Sequence, residues 1–163
     1  MGATDEFLIN NQAYAVRFDS GHLPTPPRKQ VAVVTCMDSR MDIFALLGLK
    51  NGEAHIIRNA GGVVTDDVIR SLAISQRLLD TEEIILMHHT NCGMQAITDD
   101  EFADTVQEET GVRPPWPVEA FSDLDENVRE SIARVKASPF IPKKDSVRGF
   151  VYEVETGRLR EVV

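Results

Sequence analysis

The sequence predicts an α/β fold: a mostly parallel central β-sheet flanked by helices, with an N-terminal helical arm and a C-terminal hairpin. Three observations carry this. The runs at Val31–Thr35, His55–Arg58 and Glu83–Met87 are apolar without alternation, as strands covered on both faces are. Helix-periodic stretches separate them, and the tail SVRGFVYEVETGRLREVV reads as two strands turning at Thr156-Gly157. Strand alternating with helix, closed by a hairpin, builds a parallel sheet with helices on its faces.

The elements follow in order. Residues around Thr4 to Phe18 are weakly periodic, with Phe7, Leu8, Ala15 and Val16 apolar, and predict a helix ahead of the core that ends at Ser20-Gly21. HLPTPPRK after it is a linker, because three prolines in six residues suit neither a helix interior nor a central strand. After the first strand a short helix is expected over Asp42–Leu49. A better-marked one runs over Thr65–Leu79, with Thr65 as N-cap, Asp66 and Asp67 in the first turn, and Val68, Leu72 and Leu79 on one face. After the third strand, TDDEFADTVQEETG predicts a capped helix ending near Gly111, and RPPWPV breaks the chain. Ser122 is expected to cap a last helix in which Leu124, Val128, Ile132 and Val135 recur at helical spacing.

At 163 residues the chain is read as one domain, with residues 1–29 an arm and linker and residues 30–163 the core. A net charge of −9 argues against nucleic acid and against anionic membrane surfaces as partners, since both recruit Lys and Arg. No apolar run is long enough to span a bilayer, and MGATDEFLINN lacks the pattern of a signal peptide, so a cytoplasmic location is expected. Two cysteines, Cys36 and Cys92, are too few for a disulfide framework. In a reducing compartment they suit ligation or nucleophilic chemistry better than a bridge.

Both cysteines sit just after strands. VVTCMDSRMD puts Cys36, Asp38 and Arg40 on alternate residues where the first strand ends, and strand ends are where α/β folds gather ligands. MHHTNCGM places His89 and Cys92 in H-x-x-C spacing at the end of the third. If these strands are neighbours, Cys36, His89 and Cys92 converge at the carboxyl edge of the sheet, and thiolate with imidazole favours zinc. Three protein ligands leave the fourth tetrahedral place open, as a catalytic site does. The same residues also suit two small thiols in a core. Asp38 and Arg40 weigh against that, because charged groups at a buried strand end need a use. RNAGGVV, Arg58 to Val64, lets backbone approach a neighbour or ligand closely, and equally suits a simple strand-to-helix turn.

Together C-M-D-S-R at Cys36–Arg40, R-N-A-G-G at Arg58–Gly62 and H-T-N-C-G at His89–Gly93 closely resemble the β-class carbonic anhydrases, in order and separation. The resemblance is strong over Val31–Met94, and the compact length is similar to the short prokaryotic form. It implies one zinc per chain on Cys36, His89 and Cys92, with water or hydroxide as fourth ligand. Asp38 and Arg40 would form a dyad in which Arg40 holds the carboxylate and Asp38 accepts a hydrogen bond from zinc hydroxide, aiming it at carbon dioxide to give bicarbonate and a proton. Ala60, Gly61, Gly62 and Gly93 would support the substrate pocket. The resemblance further implies a homodimer or dimer of dimers, with the N-terminal helix lying across the partner. Two thiolates cancel the charge of the ion, so the pKa of bound water is expected at or above the value of about 7 reached with three histidines.

His88 is expected in the core or behind the ligands, because adjacent strand residues face opposite ways. His22 and His55 are expected to face solvent, where either could relay protons, and Trp116 is read as a packing anchor. Some bacterial members of the family carry a bicarbonate-responsive site with a tryptophan three residues before the first zinc cysteine. Val33 stands there, so that regulation is not expected. A cysteine phosphatase needs C-x-x-x-x-x-R, whereas this chain has C-x-x-x-R. A carbon disulfide or carbonyl sulfide hydrolase on the same scaffold, and a non-enzymatic zinc or redox-sensing module, stay open at this level.

Overall fold

The computed structural model describes residues 2–163. Five strands form one sheet: β1 (Val31–Cys36), β2 (Ala54–Asn59), β3 (Glu83–His89), β4 (Val147–Glu153) and β5 (Arg158–Val162). Their spatial order is β2-β1-β3-β4-β5. The pairs β1–β2, β1–β3 and β3–β4 are parallel, and β4–β5 is the antiparallel hairpin. β1 and β3 are adjacent and in register, Thr35 opposite Met87, so their carboxyl ends share one edge.

The described residues form five α-helices: α1 (Ala3–Ala15), α2 (Ile43–Leu47), α3 (Asp66–Leu78), α4 (Asp99–Thr110) and α5 (Leu124–Ala137). The unalternating strand runs bury both faces. Ala32, Val34, Ile84 and Leu86 pack with Val68 and Leu72 of α3 and Val135 of α5. Val33 and Met87 pack on the opposite side with Ile43, Val63 and Phe121. α5 reaches β4 across Gly149, where a Cβ would stand 2.2 Å from Val128 Cγ1, so only glycine admits the helix at that distance.

The caps explain most boundaries. Thr65 Oγ1 accepts from the Val68 amide and Thr98 Oγ1 from the Glu101 amide, while Gly111 ends α4 in the left-handed conformation. α2 is shorter than its predicted span, because Gly48 turns left-handed at φ 64° and closes it after Leu47. α1 stops at Ala15, ahead of Ser20-Gly21: Arg17 and Phe18 bond back to the carbonyls of Tyr14 and Ala15 in tight turns. The cap of α5 is Asp123, not Ser122; the Asp123 carboxylate accepts from the Glu126 amide at 2.9 Å.

α1 buries no residue against its own chain, and Phe7 and Leu8 are 65% and 61% exposed. The linker after it returns to the core through Arg28, whose amide bonds the Gly52 carbonyl and whose guanidinium pairs with Glu53. Among the described residues no helix is long and apolar enough to cross a membrane.

Candidate metal centre

Cys36 is the last residue of β1 and His89 the last of β3, so two neighbouring strands deliver both to one point. Cys92 arrives three residues later through a turn that puts Asn91 in the left-handed region at φ 53°. The two sulfurs and the His89 ring nitrogen lie within 4.8 Å of one another, and all three residues are buried. Both thiols are free.

His89 is oriented from behind. Its Nδ1 lies 2.8 Å from the Thr90 carbonyl oxygen, which can only accept, so Nδ1 carries the proton. Nε2 is left with a lone pair, buried and without a hydrogen-bond partner among the described residues. An orphaned imidazole nitrogen facing two thiols is costly as an apolar core and suits a soft divalent cation. One of the two thiols is already inclined toward ionisation. The hydrogen bond from Cys92 draws Cys36 well below its ordinary range against the cost of burial. The same contact pushes Cys92 up, because one proton stays between the sulfurs. A cation would displace that proton. The donor set, its burial and its open Nε2 fit zinc.

Asp38 and Arg40 stand beside the sulfurs in the loop after β1. Arg40 donates from its amide and Nε to Asp38 Oδ1 at 2.9 and 3.0 Å, and from Nη2 to Oδ2 at 2.7 Å. This fork holds the Asp38 carboxyl far below the usual carboxylate range. Oδ2 lies 3.6 Å from His89 Nε2. Arg40 also donates to the Asn91 carbonyl at 2.9 Å, tying the two loops together.

Arg58, which sequence reasoning left without a role, fixes the first loop. Its guanidinium donates to the carbonyls of Cys36, Asp38 and Met41 at 2.8, 2.6 and 3.2 Å. The one signal for it was its place at the head of R-N-A-G-G. In that motif Ala60–Gly62 form a single 3₁₀ turn against the end of β1. Gly62 has φ 69°, and a Cβ there would stand 2.8 Å from Cys36 N and from Thr35 C. Ala60 lines an apolar cavity of about 500 Å³ with Met37, Val63, Met94, Phe102 and Trp116. Gly61 and Gly62 are buried beside it, whereas Gly93 is exposed and a Cβ there would meet nothing.

The other histidines divide. His88 points away from the centre, is fully buried, and bonds Asn127 through Nε2 at 2.7 Å. His22 is exposed. His55 does not face solvent as expected: α3 half-covers it, and its Nδ1 meets Ser75 Oγ at 2.7 Å. It pairs with Ala32, four residues back from Cys36, or ~13 Å by strand rise. Trp116 is no buried anchor, being 55% exposed with Phe102 as its one aromatic neighbour among the described residues, at 6.4 Å between ring centres. The prolines around it keep the segment irregular and outside the core.

A profile for the carbonic anhydrase family matches residues 31–159. β-Carbonic anhydrase 1 of Mycobacterium tuberculosis is 58% identical over 162 residues, covering 99% of each chain. Carbon disulfide hydrolase of Saccharolobus solfataricus is 35% identical over 181 residues, covering 96% of this chain and 87% of the other. Among solved structures, the carbonic anhydrase of Streptococcus mutans superposes with a TM-score of 0.94 at 48% identity, over 100% of this chain and 99% of that one. One of two tetrameric β-carbonic anhydrases of Sordaria macrospora shares the fold at TM-score 0.68 and 19% identity, over 99% of this chain and 98% of that one.

Proposed function

The chain belongs to the β-carbonic anhydrase family, an enzyme family, and on that premise we propose that it reversibly hydrates carbon dioxide to bicarbonate and a proton, using zinc held by Cys36, His89 and Cys92. The observation that carries the ligand assignment is the buried, unpartnered Nε2 of His89 within 4.8 Å of both sulfurs. Bound there, zinc supplies Lewis-acid activation of a water molecule for attack on carbon dioxide.

The protein's own groups do the rest. The thiolates neutralise the cation, and the Thr90 carbonyl fixes the His89 tautomer. Asp38, held ionised by Arg40, can accept a hydrogen bond but not donate one, so it orients the attacking oxygen with its lone pair toward the substrate. Arg40 keeps that carboxylate from turning onto the metal. The apolar cavity at Ala60 suits a small apolar molecule that needs no specific hydrogen bond. Residues 30–163 form the catalytic core in this reading. Residues 1–29 form an arm whose exposed apolar helix packs across a second copy, giving a homodimer or a dimer of dimers.

Metal analysis together with carbon dioxide hydration tests the reading. One zinc per chain is expected, and Cys36→Ser should lose metal and activity together. Full occupancy and activity in Cys36→Ser would remove Cys36 from the ligand set. The likeness to carbon disulfide hydrolases favours a second reading on the same scaffold, with carbon disulfide as substrate. Hydrogen sulfide release from carbon disulfide at a rate above carbon dioxide hydration would select it.

A further inference from the structure

Arg40 is half exposed, and its side chain has one hydrogen-bonded anchor apart from Asp38 among the described residues: the carbonyl of Asn91. An arginine tied only to the carboxylate it must restrain would move with it. The direction of the Asn91 carbonyl therefore sets where the fork stands, and Asn91 holds a left-handed conformation at φ 53°, one that Asn enters more readily than most residues and that contacts from neighbours fix in place.

The enforcing contacts come from the β4–β5 turn. The Thr90 amide bonds the Tyr152 carbonyl at 2.9 Å, and the Val154 amide donates to Thr90 Oγ1 at 3.0 Å. That hydroxyl then donates to Glu155 Oε2 at 2.8 Å, while the other oxygen of Glu155 accepts from the Asn91 side-chain amide. One carboxylate thus takes both side-chain donors of the Thr90–Asn91 turn, and it stands near enough to Arg40 for their charges to attract.

We infer that Glu155 is a positioning residue for the Asp38–Arg40 pair, acting through the backbone of Asn91. The inference rests on the proposed role of that pair in hydration. Glu155 lies in no motif, and among the described residues its carboxylate hydrogen-bonds Thr90 and Asn91 rather than any of the three candidate ligands. Its carboxylate locks the turn, the turn aims its carbonyl at Arg40, and Arg40 holds Asp38.

A double-mutant cycle on the zinc-loaded protein tests this, with Glu155→Ala, Arg40→Ala and the pair. Glu155→Ala should lower kcat/KM for carbon dioxide hydration about tenfold at one zinc per chain, within the range for a group displaced by less than an ångström. In the Arg40→Ala background the same change should cost less than about twofold, because its target is gone. Glu155→Gln, which keeps one acceptor oxygen, should recover part of the loss. A metal-free crystal structure of Glu155→Ala should show the Arg40 side chain released from the Asn91 carbonyl. Equal losses in both backgrounds would overturn the inference, as would unchanged kcat/KM in Glu155→Ala, or Arg40 still seated on Asn91 and Asp38 in that structure. If Arg40→Ala itself hydrates at the normal rate, the role of the pair fails and this inference with it. An impaired Arg40→Ala beside an unimpaired Glu155→Ala would sink the inference alone.

Discussion

His89 Nε2 and Asp38 Oδ2 stand 3.6 Å apart, and Arg40 grips that same oxygen from the other side at 2.7 Å. A carboxylate this close to a nitrogen proposed to bind a cation would itself be a good ligand, and in the proposed reading the fork of Arg40 holds it off the metal. Arg40→Ala should therefore retain zinc but lose roughly 100-fold in hydration rate, the scale for a misplaced group at a reacting centre. A crystal structure of the variant should show Asp38 on the metal. A near-normal rate would end the restraining role proposed for Arg40.

Gly62 meets β1 where no side chain fits. Its φ of 69° and the 2.8 Å approach to Cys36 N and Thr35 C both oppose a Cβ. Gly62→Ala should destabilise the fold by about 2 to 4 kcal/mol, combining backbone strain with overpacking against main chain. Because the clash falls on Cys36 itself, metal affinity should drop as well. Urea melts and zinc titration measure the two effects, and a change in stability under about 0.5 kcal/mol, the surface-substitution range, would contradict the packing described here.

In the proposed assembly the arm is dispensable to its own core and needed by the partner copy. α1 buries nothing within the chain, so deleting the residues before Arg28 should leave the sheet folded and shift sedimentation toward monomer. Keeping Arg28 preserves its pair with Glu53. A dimer of undiminished strength after the deletion would show that α1 is not the contact.

Arg160 clamps Asp125 through two bonds, 2.9 and 2.7 Å, joining β5 to the first turn of α5. These bonds hold Asp125 below its ordinary carboxylate value. Near pH 4 the unfolded chain therefore binds a proton that the folded chain refuses, and stability rises with pH. The contribution is complete above the ordinary value of about 4 and disappears as pH falls below it toward the depressed one. Both side chains are partly exposed, 34% and 47%, so screening limits the pair to under about 1 kcal/mol. Arg160→Met should lower the urea midpoint slightly at pH 7 and not at all in strong acid. An equal difference at both pH values would assign the effect to packing.

The parts legible in the sequence were those with local causes. β1, β2 and β3 announced themselves because burial on both faces leaves unbroken apolar runs. α3 and α4 did so because Thr65, Thr98 and Gly111 cap them. The convergence of Cys36, His89 and Cys92 was readable because H-x-x-C and C-x-D-x-R are short spacings at strand ends. What escaped notice depends on partners distant in sequence. Arg58 acts on backbone carbonyls, which carry no residue-type signal. Glu155 works from a turn whose pairing beside β3 no local pattern encodes. His55 is half-covered because α3 places Ser75 over it, a tertiary fact. Asp123 displaces Ser122 as cap by one position, a choice among neighbouring capping residues that spacing alone does not decide.

The strand order has a consequence for how the chain comes to be. β3 borders β1 on one side, but its other neighbour, β4, begins 58 residues after β3 ends, counting from His89 to Val147. A chain leaving the ribosome therefore displays the bare hydrogen-bonding edge of IILM while α4 and α5 are still being made. Such an edge is a template for any other nascent copy. The strand that supplies His89 is thus also the one most open to mispairing before β4 docks, and refolding yield should fall with protein concentration at that step.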